Sequence, residues 1–166
     1  MFVDFDLLPP TARLWVYQAN RPFTPGEERQ LKAELSAFCD QWATHNKALR
    51  TSYSIERNQF LLMAVDDNHM LASGCSIDDS VHRVQEIGRN LGVDFFDRSQ
   101  IAFLENDQVI LVPLTELKSR FASGTLQPDQ LTFTPQVTSK GEWDNKGLVP
   151  AEKSWVARFF PKPSLV

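Results

Sequence analysis

Two short runs of this chain carry apolar side chains on both faces of an extended backbone, and they limit the folds open to it. Residues 13–19 read RLWVYQA, with Leu14 and Val16 on one face and Trp15 and Tyr17 on the other. Residues 60–65 read FLLMAV in the same way. Strands that are apolar on both faces are typical of the interior of a sheet. The two runs therefore predict two inner strands.

The segment after the first run predicts a helix over residues 25–45. Thr24 is suited to cap it, Pro25 to occupy its first position and Glu27 and Glu28 its first turn. Four apolar residues then recur at helical spacing and define one buried stripe: Leu31, Leu35, Phe38 and Trp42. Residues 51–56 alternate between polar and apolar, which predicts an edge strand in a hairpin with residues 60–65.

A second helix follows the acidic loop at residues 66–69. Ser76 is expected as its N-cap, with Asp79 in the capping-box position and Gly92 as its stop. Its predicted apolar face consists of Ile77, Val81, Val84, Ile87 and Leu91. A hairpin is expected at residues 101–104 and 109–112, and a short third helix from Thr115 to about Ala122.

The resulting order of elements is strand, helix, strand, strand, helix, strand, which is the order of the ferredoxin-like split βαβ fold. We therefore expect a two-layer α+β core with an added β-hairpin, a short third helix and an irregular aromatic C-terminal tail. A single domain is expected, with an N-terminal arm at residues 1–12, the α+β domain at residues 13–124 and a tail at residues 125–166 that wraps it.

Composition excludes several classes of protein. Of the 166 residues, 42% are hydrophobic and 23% are charged, as in ordinary globular proteins. The formal net charge of −4 argues against binding to nucleic acid, which needs clustered Lys and Arg. Two cysteines 36 positions apart, without a CxxC motif, do not predict a zinc or iron–sulfur site. The chain contains no predicted membrane span or basic signal segment, so the cytoplasm is the expected location.

Three further segments carry a family resemblance. They are WVYQ at residues 15–18 with Arg21-Pro22, SGCSID at residues 73–78, and DFFDR at residues 94–98. Together they resemble a family of small uncharacterised bacterial proteins that often carry the automatic label "ABC transporter ATPase". That family has no established activity, so the resemblance implies no catalytic roles. A P-loop requires GxxxxGK[ST], and none of the seven glycines is followed by Lys-Ser or Lys-Thr, so a P-loop ATPase is not expected.

Cys75 is the best single candidate for catalysis. If Ser76 caps the helix, Cys75 lies just before the free amides of the first turn, which together with the helix dipole stabilise a thiolate. Small residues at 73–75 also suit a tight turn with no chemical role. His82 lies seven residues away, about 10 Å along a helix axis, and is too far for a catalytic pair. His69, in the preceding loop, is the better candidate base.

The same turn is a candidate site for an anion or ligand. The amides around Ser73, Gly74 and Ser76 would hold it, with Arg98 or Arg21 closing over it. A metal site built from Asp66, Asp67, His69 and Cys75 has suitable ligand types, but solvated carboxylates explain that loop equally well. We therefore predict neither a metal nor another cofactor.

Two hypotheses about function follow. The first is a non-enzymatic binding or interaction module, in which the aromatic sheet face or the tail meets a protein partner or a second copy of the chain. The second is a small thiol-dependent enzyme or redox protein that uses Cys75. Cys39 is expected to be an inert packing residue on the buried side of the first helix.

Overall fold

A computed structural model of the protein describes residues 1–163. This part of the chain is a mixed structure of four α-helices and three antiparallel sheets, so the predicted α+β class is confirmed. It divides into two compact units. The first contains Met1–Asp97 and Pro135–Asn145, and the second contains Arg98–Thr134 and the residues from Lys146 onward.

The first unit holds most of the predicted core elements. In chain order they are β1 (Arg13–Gln18), α1 (Pro25–Gln41), β2 (Ala43–Thr44), β3 (Lys47–Ala48), β4 (Thr51–Glu56), β5 (Phe60–Val65) and α2 (Gly74–Leu91). Strands β2 and β3 form a small hairpin of their own. The main sheet has the order β1-β5-β4, with both pairs antiparallel.

Strand β5 lies at the centre of this sheet, as its apolar run predicts. All six of its side chains are buried. Its Leu61, Met63 and Val65 pack in one cluster with Leu31 and Leu35 of α1. The edge position of β4 is also confirmed. The prediction that residues 13–19 form an inner strand is wrong, because β1 lies at the other edge of this sheet and only two of its six residues, Leu14 and Tyr17, are buried. The double-sided apolar pattern therefore reports correctly that β5 is covered on both faces.

The start of α1 follows local rules. The Thr24 side chain accepts a hydrogen bond from the Glu27 amide at 3.1 Å, and the Glu27 carboxylate accepts one from the Thr24 amide at 2.9 Å. This is a complete capping box, and Pro25 occupies the first helical position. The helix ends at Gln41, four residues earlier than predicted, because Trp42 turns into the core and the β2–β3 hairpin follows.

Helix α2 is rotated slightly from the predicted orientation. Val84 and Ile87 are buried as expected, but Ile77 and Val81 are only half-buried. The remaining buried positions carry small side chains: Ser76, Ser80 and Gly88. These small residues allow the helix backbone to approach its neighbours closely. Gly92 ends the helix in the left-handed conformation, as predicted.

The predicted fourth strand belongs to a different sheet. Residues Gln100–Glu105 form β6, which pairs with β7 (Gln108–Pro113) and not with β1. Beside β1, the structure instead places a single antiparallel bridge between Arg13 and Ser139. The apolar pattern of residues 101–104 identifies a strand correctly, but it does not specify the partner of that strand.

The second unit is built around a four-stranded sheet of order β7-β6-β8-β9. Its further elements are α3 (Leu117–Ser123), β8 (Leu131–Phe133) and β9 (Leu148–Pro150), while α4 (Lys140–Lys146) lies almost wholly in the segment assigned to the first unit. Gly124 ends α3 in the left-handed conformation. The prediction of an irregular tail is wrong, because β8, α4 and β9 all fall within it.

Within the first unit, the segment Pro135–Asn145 packs on the rest of the unit through hydrogen bonds and the Trp143 ring. The Leu14 amide donates to the Thr138 carbonyl at 3.0 Å. Trp143 is buried, its ring lies 6.0 Å from that of Phe60, and its indole N–H donates to the Glu56 carboxylate. This segment therefore covers part of the sheet face that carries Phe60.

Candidate functional site

The first turn of α2 differs from the sequence prediction. Ser73, not Ser76, is the N-cap: its backbone is extended and its hydroxyl accepts a hydrogen bond from the Ser76 amide at 3.1 Å. The Ser76 hydroxyl donates back to the Ser73 carbonyl at 2.8 Å. The prediction of Ser76 as cap is therefore wrong. A serine stands at both positions, and only the packing of Ser76 into the core distinguishes them.

This earlier start places Cys75 inside the first helical turn. Cys75 is exposed, whereas Cys39 is fully buried, as predicted. Within residues 1–163, the Cys75 sulfur has no hydrogen-bond partner. Burial raises the pKa of the Cys39 thiol to about 12, so Cys39 stays protonated at neutral pH.

An open groove of about 600 Å³ lies beside Cys75. Three parts of the first unit form its walls: the last turn of α1, the turn between β2 and β3, and α2 from its N-cap Ser73 to Glu86. Cys75, Asp79 and His82 follow one another at spacings of four and three residues, so they share one face of α2.

Trp42 holds these walls together. Its indole N–H donates to the Ser76 carbonyl at 2.7 Å, and its ring lies 5.3 Å from that of Phe38 and 6.0 Å from that of Trp15. Trp42 is only 2% exposed. A buried tryptophan with a satisfied N–H anchors a structure strongly. The end of α1 is therefore tied directly to the start of α2.

His45 lies in the hairpin turn between β2 and β3. The predicted helix over residues 25–45 would instead have placed it at a helix end. His45 and its neighbour Asn46 form the two-residue turn between β2 and β3, and both have positive φ, at 48° and 63°. Both residues line the groove. This places two imidazoles, those of His45 and His82, in the groove that holds Cys75.

The groove carries charges of both signs. The Arg83 guanidinium lies over the Phe38 ring at 5.8 Å and pairs with Glu86 at 3.5 Å. Asp79 adds a second carboxylate to the lining. Sequence reasoning did not include Phe38, His45 or Arg83 in any candidate site. Phe38 and His45 lie on other elements that reach the groove only in the fold, whereas Arg83 lies on α2 next to His82.

The remaining candidate residues are distributed differently. His69 is exposed, its amide donates to the Asp66 carbonyl at 3.1 Å, and it does not line the groove. Asp66 accepts a hydrogen bond from Arg50 at 3.0 Å. In the described part of the chain, no three His, Cys, Asp or Glu side chains are grouped so as to hold a metal ion.

The expected anion site lacks one of its proposed cations. Ser73, Gly74 and Ser76 do lie together at the start of α2, but the Ser76 hydroxyl is occupied by the Ser73 carbonyl. Arg21 pairs with Glu27 at 2.7 Å and donates to the Leu91 carbonyl, at the opposite end of the same helix. Arg98 is exposed and belongs to the second unit.

Comparisons with known proteins give no identity. No protein-family model, curated protein or solved structure matches this chain. The described helices include none that combines the length and the hydrophobicity needed to cross a membrane.

Proposed function

We propose that this protein is a non-enzymatic binding or interaction module and that its binding surface is the groove beside Cys75. The observation that carries this proposal is the convergence of three separate elements on an open groove of about 600 Å³. Aromatic rings, imidazoles and charges of both signs line it. Sites of this kind, with a few convergent polar groups on a preformed wall, are typical of binding surfaces.

The environment of Cys75 argues against a cysteine–histidine catalytic pair. In such a pair a general base lies within hydrogen-bond reach of the thiol, about 3 Å, and is oriented by a third group. Cys75 has no hydrogen-bond partner within residues 1–163. The described site thus offers a contact surface without an assembled catalytic set.

The aromatic sheet face is not available as the binding surface. Tyr17 is 8% exposed and packs against Phe95, and Trp15 packs against Trp42. Tyr17 belongs to the core cluster between the sheet and the helices, and Trp15 is partly buried against that cluster. The groove beside Cys75 therefore replaces that face as the site proposed for the partner.

The shape and charges of the groove favour a segment of a partner protein. The groove is open to solvent, so it accommodates a chain that crosses it. Arg83 and the two histidines can pair with acidic groups, while Asp79 and Glu86 can pair with basic ones. We propose a polar peptide segment that carries both charges and an apolar side chain facing Phe38.

A site-specific cross-linking experiment tests this proposal. Because Cys39 is fully buried, a benzophenone maleimide should label the native protein only at Cys75. The matched control carries Cys75→Ser and Ser119→Cys, which moves the label to an exposed position on α3. Illumination in extract should give a discrete adduct from Cys75 but not from position 119.

Two further conditions separate specific binding from non-specific capture. An excess of unlabelled native protein should compete with adduct formation, and Arg83→Glu in the labelled protein should reduce it at least several-fold. Equal adducts from both label positions, or adducts unaffected by Arg83→Glu, would show that the groove is not the binding surface.

One observation favours a second candidate, a thiol-dependent protein. Cys75 is exposed and shares its groove with His45 and His82. An activated Cys75 would react with iodoacetamide faster than N-acetylcysteine at neutral pH, and His45→Gln or His82→Gln would remove the difference. A rate equal to or below that of N-acetylcysteine excludes this candidate.

We further propose that the first unit is a variant of the split βαβ arrangement. Three features support this: the sheet order β1-β5-β4, a helix after β1 and after β5, and the bridge between Arg13 and Ser139 at the position of the missing fourth strand. In this interpretation, a short return of the chain stands where a full strand would pair with β1.

A further inference from the structure

Strand β7 forms an outer edge of the four-stranded sheet in the second unit. It pairs with β6 over six consecutive residues, Gln108–Pro113, without a bulge. Within residues 1–163, no other strand or bridge pairs with its outer edge. A strand edge without a partner leaves a row of backbone donors and acceptors open for pairing.

The free backbone groups can be identified from the ladder. Asn106 and Asp107 both have positive φ, at 50° and 63°, which makes the β6–β7 connection a two-residue turn. The pair that flanks such a turn is hydrogen-bonded, and hydrogen-bonded pairs then alternate along the ladder. The N–H and C=O groups of Val109 and Leu111 therefore point away from β6.

Contacts on the other side of β6 confirm this alternation. Leu104 is opposite Val109, and its carbonyl accepts a hydrogen bond from the Gln130 side chain at 2.7 Å. Ala102 is opposite Leu111, and its carbonyl accepts one from the Thr132 hydroxyl at 2.8 Å. Both carbonyls point toward β8, so neither bonds to β7.

This edge lacks the features that normally prevent pairing with another chain. Proteins protect edge strands with charged side chains, internal prolines or bulges. Residues 109–112 read VILV and carry no charge, and the proline of the strand is its last residue. The side chains of Val109, Ile110 and Leu111 are only partly buried.

We propose that β7 pairs in antiparallel fashion with β7 of a second copy of this chain. A twofold axis at Ile110 would set Val109 of each copy opposite Leu111 of the other. Each of these two pairs would exchange two N–H···O=C bonds, so four backbone hydrogen bonds would join the copies. The two four-stranded sheets would then form one continuous sheet.

A second copy is favoured over an unrelated strand because β7 is complementary to itself. With the twofold axis at Ile110, every outward N–H and C=O group of Val109 and Leu111 has a hydrogen-bond partner in the other copy. A register centred on Val109 would pair Leu111 with the turn residue Asp107, and one centred on Leu111 would pair Val109 with Pro113, which has no N–H. With no charge in residues 108–113, the pairing brings no like charges together.

The first test measures association of the full chain by sedimentation velocity over a range of concentrations. The native protein should show a concentration-dependent monomer–dimer equilibrium. Leu111→Pro removes one outward N–H from each copy and leaves the bonds to β6 intact, so it should raise the dimer dissociation constant about tenfold or more. Leu111→Val keeps the N–H and should leave association nearly unchanged.

The second test fixes the register and does not depend on a proline variant. In a Cys75→Ser background, Ile110→Cys places two thiols across the axis, where Cα atoms of a non-hydrogen-bonded pair are about 4.5 Å apart and can form a disulfide. Gln108→Cys is the matched control, because its two copies would lie about 14 Å apart along the strands. Mild oxidation should therefore cross-link only the Ile110→Cys protein.

Three results would overturn the proposal. One is a native protein that remains monomeric at the highest concentration measured. Another is a dimer of undiminished strength in the Leu111→Pro protein, and the third is equal cross-linking of the two cysteine variants. The pairing involves only the second unit, so Arg83→Glu in the Cys75 groove should leave it unchanged, and the outcomes of the two proposals can be distinguished.

Discussion

Gly88 is the position in α2 where adding a single methyl group should have the clearest effect. It is buried on the helix face toward the core, and its carbonyl accepts a hydrogen bond from the Val93 amide at 2.9 Å. A Cβ at this position would lie 2.6 Å from the Val93 carbonyl oxygen and 3.2 Å from a ring carbon of Phe95. The first distance is too short for any real contact, and the oxygen belongs to backbone that cannot move independently.

The magnitude follows from two opposing effects. Ala is favoured over Gly within a helix by about 1 kcal/mol. Forcing an extra methyl group into a packed site costs roughly 1–3 kcal/mol, and the upper part of that range applies here because the opposing atom is backbone. Gly88→Ala should therefore lower the free energy of unfolding by about 1–2 kcal/mol, which corresponds to a fall in Tm of roughly 3–6 °C for a chain of this length.

Urea unfolding followed by far-ultraviolet circular dichroism and by tryptophan fluorescence measures this effect. Gly74→Ala is the matched control on the same helix, since no atom lies within 4 Å of a Cβ built at that position. The urea midpoint of this control should equal that of the native protein or lie slightly above it. If Gly88→Ala is as stable as Gly74→Ala, the packing of α2 against the Val93 turn is not as close as described.

Three shorter predictions concern caps and titratable groups. Ser73→Ala should lower the free energy of unfolding by about 1 kcal/mol in urea titrations, because it removes the N-cap of α2, and Ser73→Asp should retain most of that stability. Burial outweighs the indole hydrogen bond and raises the pKa of Glu56, so the folded state retains this proton to higher pH than the unfolded state. The contribution of Glu56 to stability is therefore fully present below its unfolded pKa and is lost as the pH rises through its folded pKa. The urea midpoint of Glu56→Gln minus that of the native protein should increase over this pH range. A difference that does not change with pH would contradict the raised pKa of Glu56. Iodoacetamide followed by peptide mass mapping should modify Cys75 in the native protein but Cys39 only in denaturant, and early modification of Cys39 would show that the core opens at that point.

The candidate site was only partly accessible from the sequence. Cys75 and His82 share a helix, so their spacing along α2 follows directly from the 3.6-residue period. His45 and Phe38 lie on other elements, and nothing in their local sequence indicates that they line the same groove. The one available signal was Trp42, a large aromatic at a predicted helix end, which the structure uses to join α1 to α2.

The sequence by itself determined the features that depend on neighbours a few residues apart. The cap of α1 at Thr24, the stop of α2 at Gly92 and the hairpin of β6 and β7 are of this kind, because the interacting residues lie close together along the chain. The inner position of β5 also belongs here, since burial on both faces leaves an apolar run in the strand itself.

The tertiary structure alone decided which sheet each strand joins and which serine caps α2. An apolar strand such as β6 satisfies its hydrogen bonds and buries its side chains equally well beside β1 or beside β8, so its local pattern is the same in both arrangements. Ser73 and Ser76 are both competent caps, and the choice depends on the burial of Ser76 beneath Trp42, a residue 34 positions away. Such choices depend on the free energy of packing between distant segments, which no local pattern encodes.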